Sequence, residues 1–142
     1  MRNSRLQQRG SNLVEGSIVL FLFLVLVIAI LDFGQVLFLH HVLTERVRSG
    51  ARYAAVHQFN TTTIQNVVAY NSTTATQNGV GLFGLTPAKV TVTRYDAGTP
   101  NDRIKVSIST YTMHFLSPWL PASFTAGPFS AVMPVESLGA AN

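Results

Sequence analysis

Gly79, Gly81 and Gly84 spell G-x-G-x-x-G, a pattern whose chemistry is pyrophosphate binding at the start of a helix. That chemistry needs a strand before the glycines and a helix N-terminus after them. Here residues 71–78 are mostly Thr, Asn and Ser, and Pro87 follows, so the segment is predicted to be a flexible loop. Asp32-Phe33-Gly34 copies the metal-binding triplet of protein kinases, but no His-Arg-Asp or Val-Ala-Ile-Lys accompanies it and it ends an apolar stretch. His40, His41, His57 and His114 form neither H-E-x-x-H nor a zinc-like pairing. There is no G-x-S-x-G turn, and hydration accounts for Asp96 and Asp102 in one polar loop. The sequons at Asn60 and Asn71 matter only in a eukaryotic secretory pathway. These readings predict no catalytic residue, no cofactor, no metal and no enzyme.

One constellation survives. Arg5 and Arg9 lead into Gly10-Ser11, an apolar zone opens directly behind them, and Glu15 stands fifth from Ser11 inside it. An ordinary secretory signal places its small-residue cleavage site after the apolar stretch, whereas here the nearest candidate, Ser49-Gly50-Ala51, lies far beyond it. A carboxylate among lipid-facing residues costs free energy and so marks a functional position that needs a partner. The plainer alternative is an uncleaved signal anchor with a stray Glu.

The zone that must position these residues dominates the composition. Of 142 residues, 47% are hydrophobic and 11% charged, whereas a typical soluble domain is about 25% charged. Residues 18–31 are all apolar, and Glu15 and Asp32 are the charges that bound them. Fourteen apolar residues at about −0.3 to −0.6 kcal/mol each outweigh one central acid at about +2.5 to +3.5 kcal/mol, so the segment inserts into a bilayer. The absence of Cys excludes disulfides, Cys-ligated metals, a thiol nucleophile and a lipoprotein anchor. The net charge of +4 owes most to Arg2, Arg5 and Arg9 and is no sign of nucleic-acid binding.

Beyond Asp32 a helical stripe continues through Leu39, Leu43, Val47, Gly50 and Ala54, with His41, Thr44, Glu45, Arg48 and Arg52 on the opposite face. One helix over residues 12–57 would reach about 69 Å, half in lipid and half above it. Ile64, Val67 and Val68 predict a short second helix over 61–70. Alternation predicts antiparallel strands over 89–94 and 103–111, joined through 96–102, and a last strand over 129–135 that Pro134 confines to an edge. Pro118, Pro121 and Pro128 rule out a central strand between Phe115 and the last strand. Trp119 and Tyr111 suit a core or a membrane interface equally. The expected fold is α+β: a long N-terminal helix, membrane-spanning in its first half, packed on a small antiparallel sheet. The expected parts are a leader (1–10), the helix (11–59), a Thr/Asn/Gly-rich connection (60–86), a β-domain (87–136) and a tail (137–142).

Residues 9–15, Arg-Gly-Ser-Asn-Leu-Val-Glu, resemble a class III, type IV prepilin-like processing site. Residues 30–35, Ile-Leu-Asp-Phe-Gly-Gln, followed by residues 50–56, Gly-Ala-Arg-Tyr-Ala-Ala-Val, resemble the TadE-like pseudopilins of the tight-adherence (Flp/Tad) pilus system. The likeness covers residues 9–57 and marks Asp32, Phe33, Gly34, Gly50, Ala51, Arg52 and Tyr53 as its helix motif. It implies a pilin-like fold and a prepilin peptidase that cuts between Gly10 and Ser11, with Glu15 acting in processing and assembly. Two departures stand out. Met133-Pro134 interrupts the strand that such proteins keep at their C-terminus, and Ser11 rather than Phe follows the cleavage point, which suits a minor component.

The resulting expectation is a minor pilin or pseudopilin of a Tad/Flp-type pilus or its assembly complex. It would be a single-pass protein of the bacterial inner membrane, with a cytoplasmic N-terminus and a periplasmic C-terminal domain, or part of an extracellular pilus. Its partners would be membrane lipid, prepilin peptidase and other pilin or pilus-assembly proteins in a homo- or hetero-oligomer, with no nucleic acid. Two alternatives stand beside it: the major subunit of the same pilus, or a membrane-anchored binding module that captures a ligand through Tyr111, Phe115 and Trp119.

Overall fold

The computed structural model describes residues 4–75 and 79–135, with side chains of the first helix described from Asn12 onward. Its elements are α1 (Ser4–Val56), α2 (Thr61–Tyr70), β1 (Val90–Tyr95), β2 (Arg103–Ile108), β3 (Tyr111–His114), β4 (Ser123–Ala126) and β5 (Phe129–Pro134). The class is α+β with a long apolar N-terminal helix, as expected. The tail 137–142 and Glu136 lie outside the described residues. Two compact units divide the chain. The first comprises the described residues up to Leu37 together with His114–Phe124; the second comprises Phe38–Met113 with the described residues from Thr125 onward.

Helix α1 starts earlier than expected, at Ser4 rather than near the end of the leader, because residues 4–9 contain neither Pro nor Gly to stop it. It ends at Val56 because Asn60 turns extended and caps the next helix, its Oδ1 accepting the Thr63 N–H at 3.1 Å. Asn71 closes α2 in the left-handed conformation, donating its N–H to the Val67 carbonyl at 2.9 Å. Both sequon asparagines are therefore helix caps.

In the second unit β1, β2 and β5 form one antiparallel sheet with β2 in the middle. Val92 pairs with Val106, and Val106 with Ala131, so one face carries Val90, Ile104, Val106, Ile108 and Phe129, all buried. Leu43, Val47, Gly50, Ala51 and Ala54 of α1 are buried in this unit, as are Ile64 and Val68 of α2. At Gly50 a Cβ would run into the Val68 side chain and would lie 3.7 Å from Val106, so the small residue lets the layers close. Pro134 ends the edge strand β5, where a missing N–H costs no ladder bond. The expected strand over 103–111 is split. Burial alternates through Ile104, Val106 and Ile108, then slips by one residue to Tyr111 and Met113, and β3 leaves to pair with β4 in a separate two-stranded sheet. That pairing places β4 between Pro121 and Pro128, in a sheet with no central strand.

The described residues of the glycine-rich segment are anchored by hydrogen bonds that the reading as a loop did not include. Gly81 donates to the Leu85 carbonyl at 2.8 Å, and a Cβ there would collide with the Ala69 carbonyl at the end of α2. The Tyr70 hydroxyl donates to the Gly79 carbonyl at 2.8 Å. The Tyr111 hydroxyl donates to the Phe83 carbonyl.

Asp102 also departs from expectation. It is buried rather than hydrated, and its carboxylate accepts from Arg94 Nε at 2.9 Å, from a second Arg94 nitrogen and from the Gly98 N–H at 3.0 Å. The Arg94 guanidinium, then the Gly98 amide, hold this carboxyl below the usual carboxylate range. The folded chain thus binds a proton here less readily than the unfolded one. The clasp stabilises the fold above the unfolded value of about 3.9 and loses that contribution as the pH falls through the lower folded value. In detergent, the protection factors of amides in the 96–102 loop, measured against intrinsic exchange at each pH, are expected to fall below about pH 4. Asp102→Asn should show low protection already at neutral pH, with little further acid response.

Candidate functional site

The processing, assembly and helix-motif residues singled out in the sequence all lie on α1, and the structure sorts them into two groups. Gly10 and Ser11 are within the helical backbone, and their side chains lie outside the description. Glu15 is exposed among Val14, Ile18 and Val19, which are 60%, 54% and 61% exposed. Nothing lies within 4 Å of a Cβ built at Gly16 or Gly34, and Phe33 projects outward. A helix that exposes apolar side chains over most of its surface, with only Val25, Val27 and Ile28 half-buried among residues 12–31, belongs in lipid or in a helical bundle. Among the described residues α1 is the one helix long and apolar enough to cross a membrane.

Asp32 is the exception in this stretch, being 2% exposed. Its two carboxylate oxygens accept the backbone N–H groups of Leu116 at 2.7 Å and Ser117 at 3.0 Å, all within the first unit. Sequence reasoning named Asp32 as a bound of the apolar run and as part of a helix motif, and missed these partners. They contribute main-chain atoms from more than eighty residues away, so no side-chain pattern could announce them.

The second group lies in the second unit. Gly50 and Ala51 face the core, while Arg52 points to solvent. Tyr53 is half-buried, its ring stacked on His57 at 4.0 Å and its carbonyl bonded to His57 Nδ1 at 3.0 Å. These residues let elements pack and finish the helix; no reacting constellation forms around them. The His, Asp and Glu side chains among the described residues make no cluster able to hold a metal. Of the three residues offered as a capture surface, Tyr111 is buried, Phe115 half-buried and Trp119 48% exposed.

Helix α1 thus exposes apolar side chains over most of its first half and supplies buried packing residues to the second unit from Leu39 onward. Residues 10–52, wholly within α1, match the family described as TadE-like protein, which bears out the resemblance over that stretch. The matched segment starts at Gly10 and includes Glu15, the Asp32-Phe33-Gly34 triplet and Gly50 to Arg52, with Tyr53 one residue beyond. No curated protein and no solved structure matches the chain.

Proposed function

We infer that this protein is a structural, pilin-like component of a Tad/Flp-type pilus or of its assembly complex. The observation that carries the reading is the TadE-like match over residues 10–52 on a helix whose first half exposes apolar side chains over most of its surface. In this reading α1 crosses the inner membrane once, with the N-terminus cytoplasmic and the sheet-bearing domain periplasmic. A prepilin peptidase removes residues 1–10, and the freed helix packs against other pilin-like subunits. Ser11 in place of Phe supports a minor rather than a major subunit.

The test is the mature N-terminus. In cells with an active prepilin peptidase, intact mass of the membrane-extracted protein is expected to show a chain that starts at Ser11, and Gly10→Val should leave the full-length form. A wild-type chain still beginning at Met1, with the peptidase shown to be active on another substrate, would favour the tethered binding module.

A further inference from the structure

We propose that residues 115–124 form a second membrane contact, lying in the lipid interface where α1 leaves the hydrocarbon, and that Asp32 is the positioning residue that holds them at that depth. The proposal rests on the reading of α1 as a membrane span. Residues 13–32 cover about 28 Å at about 1.5 Å per residue, which matches a hydrocarbon core about 30 Å thick. That places Asp32 at the boundary. Its hydrogen bonds to Leu116 and Ser117 tie the segment to the same height, since no side chain longer than that of Asp separates the two backbones.

What the segment presents at that height is apolar. Leu116 is 66% exposed, Trp119 48%, Leu120 42% and Phe124 49%, and no Asp, Glu, Lys or Arg occurs from residue 106 to 135. Trp belongs to the headgroup level, where its ring is covered and its N–H stays wet. Irregular backbone cannot go deeper, because its polar groups would lose water without gaining partners. Pro118 and Pro121 carry no N–H, and Asp32 satisfies two of the remaining donors, so the segment suits the boundary. Lipid is the occupant favoured over a second copy. The exposed faces of Leu116 and Trp119 belong to the same unit as Phe33, itself 66% exposed, and the lipid around the helix end reaches them without a further partner.

Trp119 is the sole Trp of the chain, which makes its depth measurable. The full chain is reconstituted in vesicles of phosphatidylcholine and phosphatidylglycerol, with lipids brominated near the carbonyl or near the methyl end. A Trp119→Phe, Phe23→Trp protein reports on the middle of the proposed span over residues 13–32. Trp119 is expected to be quenched most by bromine near the carbonyl, and the Trp placed at position 23 most by bromine near the methyl end. Asp32→Ala should abolish the preference of Trp119 for shallow bromine and open it to aqueous iodide, with position 23 unchanged. Quenching at position 23 with Trp119 open to iodide alone would overturn the proposal while leaving the span intact. Trp119 shielded from both bromine and iodide would mean a second copy covers it, which also overturns the proposal. Stronger quenching of Trp119 by deep bromine, or no effect of Asp32→Ala, would refute the placement or the role of Asp32. No lipid quenching at either position would remove the membrane reading and the proposal together.

Discussion

Glu15→Leu is expected to leave the chain in the membrane and to lower its incorporation into the pilus machinery by at least about tenfold. Glu15 stands exposed among exposed apolar side chains, so in a membrane span leucine makes insertion easier rather than harder. The loss falls on assembly. Cleavage after Gly10 would create an α-amino group on Ser11, and an ordinary amine of that kind titrates near about 7.7–8.0 and is largely protonated at neutral pH. Paired with Glu15 of a neighbouring subunit in a water-poor bundle, it gains a strong attraction and sets the axial register. Leucine removes one member and leaves the other buried and unpaired, which costs several kcal/mol. Membrane fractionation, intact mass and co-purification with other pilus components read the three steps separately. Normal insertion and cleavage with normal incorporation would refute the ion pair and reduce Glu15 to a recognition residue for the peptidase.

The other large effect is expected in the sheet. Val106 is fully buried in the middle strand, paired with Val92 on one side and Ala131 on the other, and close to Gly50. Val106→Asp forfeits about 1.5–3 kcal/mol of apolar burial and also places a carboxyl where nothing solvates it. Against a domain stability of about 5–15 kcal/mol, that is enough to deplete the folded form severalfold. Lys105→Asp, one residue away on the opposite face, reverses a charge at a partly exposed position and should shift stability by no more than about 0.5 kcal/mol. Steady-state protein level and protease resistance in membranes compare the two. Equal tolerance would mean that the inward face of β2 is not the one bearing Ile104, Val106 and Ile108.

The elements themselves were legible in the sequence because their signals are local. The apolar run of residues 18–31, the stripe from Leu39 to Ala54, the triplet Ile64, Val67 and Val68, and the alternation through Val90 to Arg94 each state a period. Period follows from backbone geometry, so these residues specify helix or strand wherever they pack. The family likeness was legible for the same reason, since its motifs fall along one continuous helix. The caps were readable in principle. Asn60 and Asn71 flank the helical triplet, but they were weighed only as sequons and not for the hydrogen bonds that helix ends demand.

Tertiary structure decided what depends on main-chain atoms and on distant partners. The acceptor role of Asp32 is set by the amides of Leu116 and Ser117, and amides carry no sequence label. Asp102 looked like any hydrated loop acid until Arg94 and the Gly98 amide enclosed it. Gly81 belonged to a pattern associated with phosphate binding, and its actual constraint is the Ala69 carbonyl, which occupies the space a side chain would need. The break between β2 and β3 arises from a one-residue slip in burial, visible only once a second sheet exists to receive the shifted face. A single side chain's periodicity reports which way it points; which backbone donor or carbonyl it then meets is fixed only when the rest of the chain has closed around it.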